Sequence, residues 1–248
     1  MQELLFHRLL LPAVERNAAK VAFFDGAYEG TYAQHLDRVC RVASVLHDDL
    51  GISRGDRFAV MALNSHHFLE LYHAAFLGVG VVNPLNLRLA TKELAYILAD
   101  SETKVCFVDA PFAGLINAVR DEVGLEHVVL IGDGDVEHDA KLEDLMAGAD
   151  SGVPPEPEET DPVVLMYTGG TTGLPKGVLL EHRAEMLNLY HIAIGVGLGE
   201  DYVFLHQTPM FHAASMGGSS ASRAVAVRRS SCRCSTLRRC SMRWSDTG

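Results

Sequence analysis

The residues best suited to chemistry are consecutive: Thr168-Gly169-Gly170-Thr171-Thr172-Gly173-Leu174-Pro175-Lys176-Gly177. Four glycines free the backbone to turn its N–H groups toward one point, three threonine hydroxyls add donors there, and Lys176 brings a positive charge. Short-range donors around one cation are what a polyphosphate requires, and they act locally even in a chain of formal net charge −11. The composition therefore predicts a phosphate cradle. It is not the Walker loop, in which Gly-Lys precedes a hydroxyl residue and a helix: here Lys176 follows Pro175 and precedes Gly177, and Val178-Leu179-Leu180 then continues as a strand. An ordinary flexible hairpin turn is the plain alternative, but such a turn does not call for this many hydroxyls and glycines beside a lysine.

Other reactive residue types are less organised. His66, His67 and His73 fall on an expected helix and its cap, His206 lies in or near a strand, and no H-E-x-x-H or comparable ligand set is present, so no metal site is expected from the histidines. Cys40 and Cys106 stand alone in apolar patterns and are expected to be buried small hydrophobes.

The elements that position the loop follow from periodicity. Val21 to Asp25 is an expected strand. Thr31 offers a hydroxyl cap to a helix with apolar residues at Leu36, Val39, Cys40, Val42, Ala43 and Leu46, ended by Gly51. Arg57 to Leu63 (strand), Phe68 to Leu77 (helix), Val79 to Val82 (strand), Lys92 to Ala99 (helix capped by Thr91), Val105 to Asp109 (strand), Phe112 to Val123 (helix) and His127 to Ile131 (strand) continue the alternation. This predicts an α/β fold with a parallel sheet covered by helices. Ser151 to Thr160 is a Pro-rich acidic connector, expected to mark a boundary within the domain, and Asp161 to Tyr167 is a buried strand feeding directly into the glycine-rich loop.

A chain of 248 residues, 48% hydrophobic and 21% charged, can bury a core as one large domain or two modest ones, which excludes a wholly disordered or fibrous chain. The acidic balance argues against a general nucleic-acid binder. Ala74 to Val82, the longest strongly apolar stretch, is far short of the roughly 20 residues a membrane span needs. With no export signal read at the amino end, the expected compartment is the cytoplasm, and peripheral membrane contact stays open.

The final residues, 223–248, differ in character. They hold seven arginines against the single acid Asp246, three of the five cysteines and the only tryptophan, with no sustained helix or strand period. A basic arm for nucleic acid or acidic lipid, and a metal site from Cys232, Cys234 and Cys240, are two readings; the latter lacks C-x-x-C spacing. The preferred reading is a shifted reading frame, since chosen synonymous codons for Ser230 to Trp244 read two nucleotides along as Val-Val-Pro-Leu-Phe-Asp-Pro-Ala-Ala-Leu-Leu-Asp-Ala-Val, a strand, a turn and the start of an amphipathic helix. Gene sequence across Ser215 to Arg229 tests it.

Tyr167 to Gly177 resembles the phosphate-loop signature of the acyl-adenylate-forming superfamily, the AMP-binding acyl-CoA synthetases and their relatives. Arg54-Gly55-Asp56-Arg57, Asn64-Ser65, Pro84-Leu85-Asn86 with Arg88-Leu89, Glu93 to Leu98, Glu181-His182-Arg183 and Pro209-Met210-Phe211-His212 are similar as well, in the family's order across Val21 to Gly218. Gly169 stands where many members have serine. The resemblance implies an incomplete N-terminal large domain over 1–222, followed by the aperiodic tail at 223–248. It implies activation of a carboxylic acid, fatty or otherwise, by ATP to an acyl adenylate, then transfer to a thiol, usually coenzyme A. It assigns Thr168, Gly169, Gly170, Thr171, Thr172, Gly173 and Lys176 to the β and γ phosphates, Thr172 to accompanying Mg2+, and His212 to the pocket where acyl group and adenylate meet. For His212 the alternative is a packed core histidine satisfied by a backbone carbonyl.

The resemblance also implies downstream parts that are not found here: an aromatic-Gly-x-Thr-Glu segment, a ribose-binding aspartate, a hinge and a mobile domain with a catalytic lysine. The chain is thus expected to be a truncated ligase of incomplete activity with an unfinished sheet. Two further readings stay open: a noncatalytic ATP-binding fragment, and an amino-acid-adenylating module of a peptide synthetase.

Overall fold

The computed structural model describes residues 3–26, 28–168, 173–197, 204–206, 208–215 and 229–231. Its first helix, α1 (His7–Asn17), precedes a hairpin of β1 (Val21–Asp25) and β2 (Tyr28–Thr31). The helix α2 (Tyr32–Ser44) starts at a capping box: the Gln34 N–H donates to Thr31 Oγ1, and the Thr31 N–H donates to Gln34 Oε1. A π-helical turn at Val45–Asp49 ends it, and Gly51, at φ 65°, takes the left-handed conformation that turns the chain toward the sheet.

The main sheet is assembled from β3 (Arg57–Met61), β4 (Val81–Pro84), β5 (Val105–Asp109), β6 (His127–Ile131), β7 (Ala140–Lys141), β8 (Pro162–Thr168) and β9 (Lys176–Glu181). Their order is β7-β6-β5-β3-β4-β8-β9, parallel throughout except for the antiparallel pair β8 and β9. Between them run α3 (His66–Phe76), α4 (Thr91–Asp100), α5 (Ala110–Asn117), α6 (Arg120–Val123) and α7 (Leu142–Met146); α8 (His182–Val196) follows β9.

Strand alternation divides the core in two. Phe58 and Val60 of β3 join Val105 and Phe107 of β5 in one buried cluster with residues of α1, α2 and α3. Ala59 and Met61 join Cys106 and Val108 in a second, against Leu94, Ile97 and Leu98 of α4 and Ala113 and Ile116 of α5. Helices thus cover both faces, the requirement of a parallel sheet. Cys40 and Cys106 are buried, as expected; burial pushes the Cys40 thiol up to about 11 and Cys106 further in the same direction.

Two local expectations are corrected. Ala90, not Thr91, is the N-cap of α4, and its N–H is held by the Glu93 carboxylate at 2.9 Å. The helix expected over Phe112 to Val123 is two, α5 and α6, separated where Val119 turns inward and becomes buried. From 223–248 the described residues are a three-residue strand, β11 (Arg229–Ser231), parallel to β1 and to β10 (Phe204–His206), in a second sheet of order β10-β11-β1-β2. The rest of 223–248, including Cys232, Cys234 and Cys240, lies outside the described residues.

The connector at 151–160 is tied down by its acids and carbonyls. Glu156 pairs with Arg8, Glu159 accepts from the Leu4 N–H and from Arg183, and the Pro154 carbonyl faces His7. It clasps the start of the chain to the beginning of α8.

Candidate functional site

β8 is an interior strand whose early residues Val163, Val164 and Leu165 are buried. Its last residues emerge from the sheet, and the chain returns as β9. Register pairs Thr168 with Lys176 and Tyr167 with Gly177, so β8 and β9 run antiparallel as the two arms of a hairpin, as the sequence predicts. The Thr168 hydroxyl donates to the Lys176 carbonyl at 3.4 Å. Lys176, Gly173 and Leu174 are exposed. Gly169, Gly170, Thr171 and Thr172, also assigned to phosphate, lie outside the described residues.

The base of the hairpin is rigid. The Tyr167 hydroxyl donates to Asp100 Oδ2 at 2.6 Å, anchoring β8 to the end of α4; burial and the Asp100 carboxylate together push the phenol well above its usual range. Gly177 lies against this tyrosine. A Cβ there would meet Leu165 Cδ1 at 3.0 Å and Tyr167 Cζ at 3.1 Å, so the absence of a side chain lets β9 close over β8.

His212 occupies a second segment. It is exposed, which excludes a packed core histidine, while Phe211 beside it is buried and their ring centroids are 4.4 Å apart. The His212 N–H donates to the Pro209 carbonyl and the Ser215 N–H to the His212 carbonyl, forming a tight turn.

Two residues not singled out individually by sequence reasoning hold this turn. Asn64, between β3 and α3, donates from Nδ2 to the Thr208 carbonyl at 2.9 Å and the His206 carbonyl at 3.3 Å, and accepts the Met210 N–H on Oδ1 at 2.7 Å. The fully buried Tyr72 of α3 donates its hydroxyl to the Met210 carbonyl at 2.9 Å. Asn-Ser before a helix was visible as part of a resemblance; its partners, more than a hundred residues away, were not.

One grouping of donors lies outside the sequence reading. His66, His67 and Glu143 place potential ligand atoms within 4.8 Å of one another. Glu143 reaches His67 across 76 positions, a separation no local motif reveals.

With this geometry in place, comparison with known proteins decides the family. The family described as "AMP-binding enzyme" matches residues 11–222. The chain belongs to the AMP-binding enzyme family. Among its curated relatives, 4-hydroxybutyrate–CoA ligase 2 of Metallosphaera sedula is 35% identical over 221 residues, covering 85% of this chain and 40% of that protein. The long-chain-fatty-acid–CoA ligase of Thermus thermophilus is 36% identical over 194 residues, covering 73% of this chain and 34% of that protein. Among solved structures, the inhibitor-bound N-terminal domain of FACL13 from Mycobacterium tuberculosis superposes with a TM-score of 0.84 at 30% identity, covering 93% of this chain and 57% of that one. The chain therefore spans less than half the length of these curated relatives. Its fold is that of the N-terminal domain of adenylate-forming enzymes. Among the described residues, no helix is long and apolar enough to cross a membrane.

Proposed function

We propose that this chain carries the triphosphate-binding part of an acid–thiol ligase that activates a carboxylic acid with ATP and passes the acyl group to coenzyme A. The observation that supports this reading most is the closure of the glycine- and threonine-rich hairpin, with Thr168 and Lys176 opposite each other on strands anchored in the sheet, within a stretch matched by the AMP-binding family. Residues 1–222 form the partial AMP-binding domain, followed by the basic tail at 223–248.

In the first step the carboxylate oxygen attacks the α-phosphorus of ATP, and the bond to the bridging oxygen of pyrophosphate breaks. Charge accumulates on the departing pyrophosphate. The Lys176 ammonium, held at the mouth of the hairpin, offsets that charge, and the N–H groups of Thr168 to Gly173 with the hydroxyls of Thr171 and Thr172 donate to its oxygens. Lys176 acts as a clamp rather than a base. Thr172 is the residue assigned to hold Mg2+, which when bound would supply charge neutralisation at the phosphate oxygens. In the second step the thiol attacks the acyl carbon and AMP leaves. His212 and Phe211 offer a polar head and an apolar wall for the carboxylate end of the acid, on a turn fixed by Asn64 and Tyr72. The substrate class is a carboxylic acid, from a small hydroxy acid to a fatty acid, the range spanned by the relatives' names. A cytoplasmic location fits ATP and coenzyme A as co-substrates.

The second reading is ATP binding without turnover. Carboxylate-dependent exchange of labelled pyrophosphate into ATP separates the two. Exchange establishes adenylation; saturable ATP binding without exchange establishes the second reading. Absence of ATP binding contradicts both.

A further inference from the structure

We propose that His66, His67 and Glu143 form a binding site for a divalent transition-metal ion of the Zn2+ type, separate from the nucleotide hairpin. Their donor atoms lie within 4.8 Å of one another, and the set of two imidazoles and one carboxylate is the one such ions accept, with solvent completing the coordination. His66 and His67 open α3, and Glu143 is brought to them on α7.

The surroundings of these residues are built as metal-ligand surroundings are. The buried Asp25 carboxylate accepts from the His66 backbone N–H at 3.0 Å and lies 2.8 Å from His66 Nδ1. A carboxylate on Nδ1 holds the proton there, leaves the Nε2 lone pair for a ligand and fixes the ring direction. The Tyr28 ring stacks on the same imidazole at 4.4 Å. His67 is more than nine-tenths buried; its Nε2 is 2.9 Å from Glu143 Oε1, and its Nδ1 has no hydrogen-bond partner among the described residues.

Arg38 is the competitor for Glu143, donating to its two oxygens at 2.5 and 3.1 Å. The same guanidinium also holds both oxygens of the fully buried Glu70, at 2.7 and 3.1 Å. Glu143 can therefore turn from Arg38 to a metal without leaving a buried charge unpaired, and its half-exposed side chain has the freedom to do so. A hollow of about 390 Å³ is lined by Tyr28, Ala33, Gln34, Asp37 and Arg38, two of which touch the cluster: Tyr28 stacks on His66 and Arg38 binds Glu143. Metal binding here would tie the start of α3 to α7 behind the β1–β2 hairpin.

The test uses the full 248-residue chain with Cys232, Cys234 and Cys240 replaced by serine, so that tail thiolates cannot bind the ion. Zn2+ is titrated calorimetrically, and Co2+ is added to follow visible d–d absorption. The expected result is one equivalent bound, with His66→Ala, His67→Ala and Glu143→Gln each weakening binding at least ~10-fold and Asp25→Asn weakening it by the ~10–100-fold typical of outer-shell partners. His191→Ala, at an exposed position on α8, leaves binding unchanged. Circular dichroism checks that each variant is folded. Should the histidine variants unfold, Glu143→Gln carries the decision, because its side chain is half-exposed and neutral glutamine retains the shape. No binding by the serine-substituted chain, or equal binding in folded Glu143→Gln, overturns the proposal. Neither result bears on ATP binding at the hairpin.

Discussion

Thr168 and Lys176 face each other across the first pair of the β8–β9 hairpin, the threonine hydroxyl donating to the lysine carbonyl. That pairing places a cation and a hydroxyl on opposite sides of one loop mouth. Because β8 is an interior strand and Tyr167 is bonded to Asp100, the strand that carries Thr168 is tied to the sheet. Preorganised donors of this kind cost little to align when an anion arrives.

Gly177 tests the base of the hairpin. Gly177→Val forces a side chain against Leu165 and Tyr167, where even a Cβ sits at 3.0 and 3.1 Å. It is expected to destabilise the chain by about 1–3 kcal/mol, the range for overpacking. Urea denaturation measures it, and an unchanged midpoint would mean that β9 does not close as described.

Asn64 tests the turn bearing His212. Asn64→Ala removes three hydrogen bonds to the backbone of residues 206–210 and is expected to cost about 1–3 kcal/mol, with faster amide exchange at Met210. Asn64→Asp retains the acceptor for the Met210 N–H and loses both donors, so exchange at Met210 should be less affected than in the alanine variant. Equal Met210 protection in the wild type and Asn64→Ala contradicts the assignment.

The pH dependence of stability should carry the mark of α8. Burial lifts the Glu185 carboxyl to about 6 from its ordinary 4.5. The folded chain thus keeps a proton that the unfolded chain releases, and stability falls as pH rises from 4.5 through 6. Burial lowers the neighbouring His182 from 6.5 to about 4, so its contribution has the opposite sign: present above 6.5 and lost as pH falls toward 4. Glu185→Gln is expected to gain up to about 2 kcal/mol at pH 7 relative to its effect at pH 4.5. Thermal melts at the two pH values check this; the same change at both contradicts it.

Much of this was legible locally. The apolar run ending at Tyr167 and the glycines after it specify a strand and a turn, and Pro175 with Val178-Leu179-Leu180 specifies the return strand rather than a helix. Thr31 announces the start of α2 as a hydroxyl cap, while its partner Gln34 becomes evident only in the structure. The break between α5 and α6 has no such signal, because it follows from the burial of Val119 against the second core cluster. The grip of Asn64 on Met210 and the meeting of His67 with Glu143 depend on how the sheet brings distant segments together, which no local pattern encodes.

The central claim is that the hairpin between β8 and β9 binds the triphosphate of ATP through Lys176. Titration calorimetry of the 248-residue chain and its Lys176→Met variant with MgATP measures this directly. The account predicts saturable binding by the wild type and at least ~10-fold weaker binding by the variant, about 1.4 kcal/mol. Equal affinity in a folded Lys176→Met chain would contradict it.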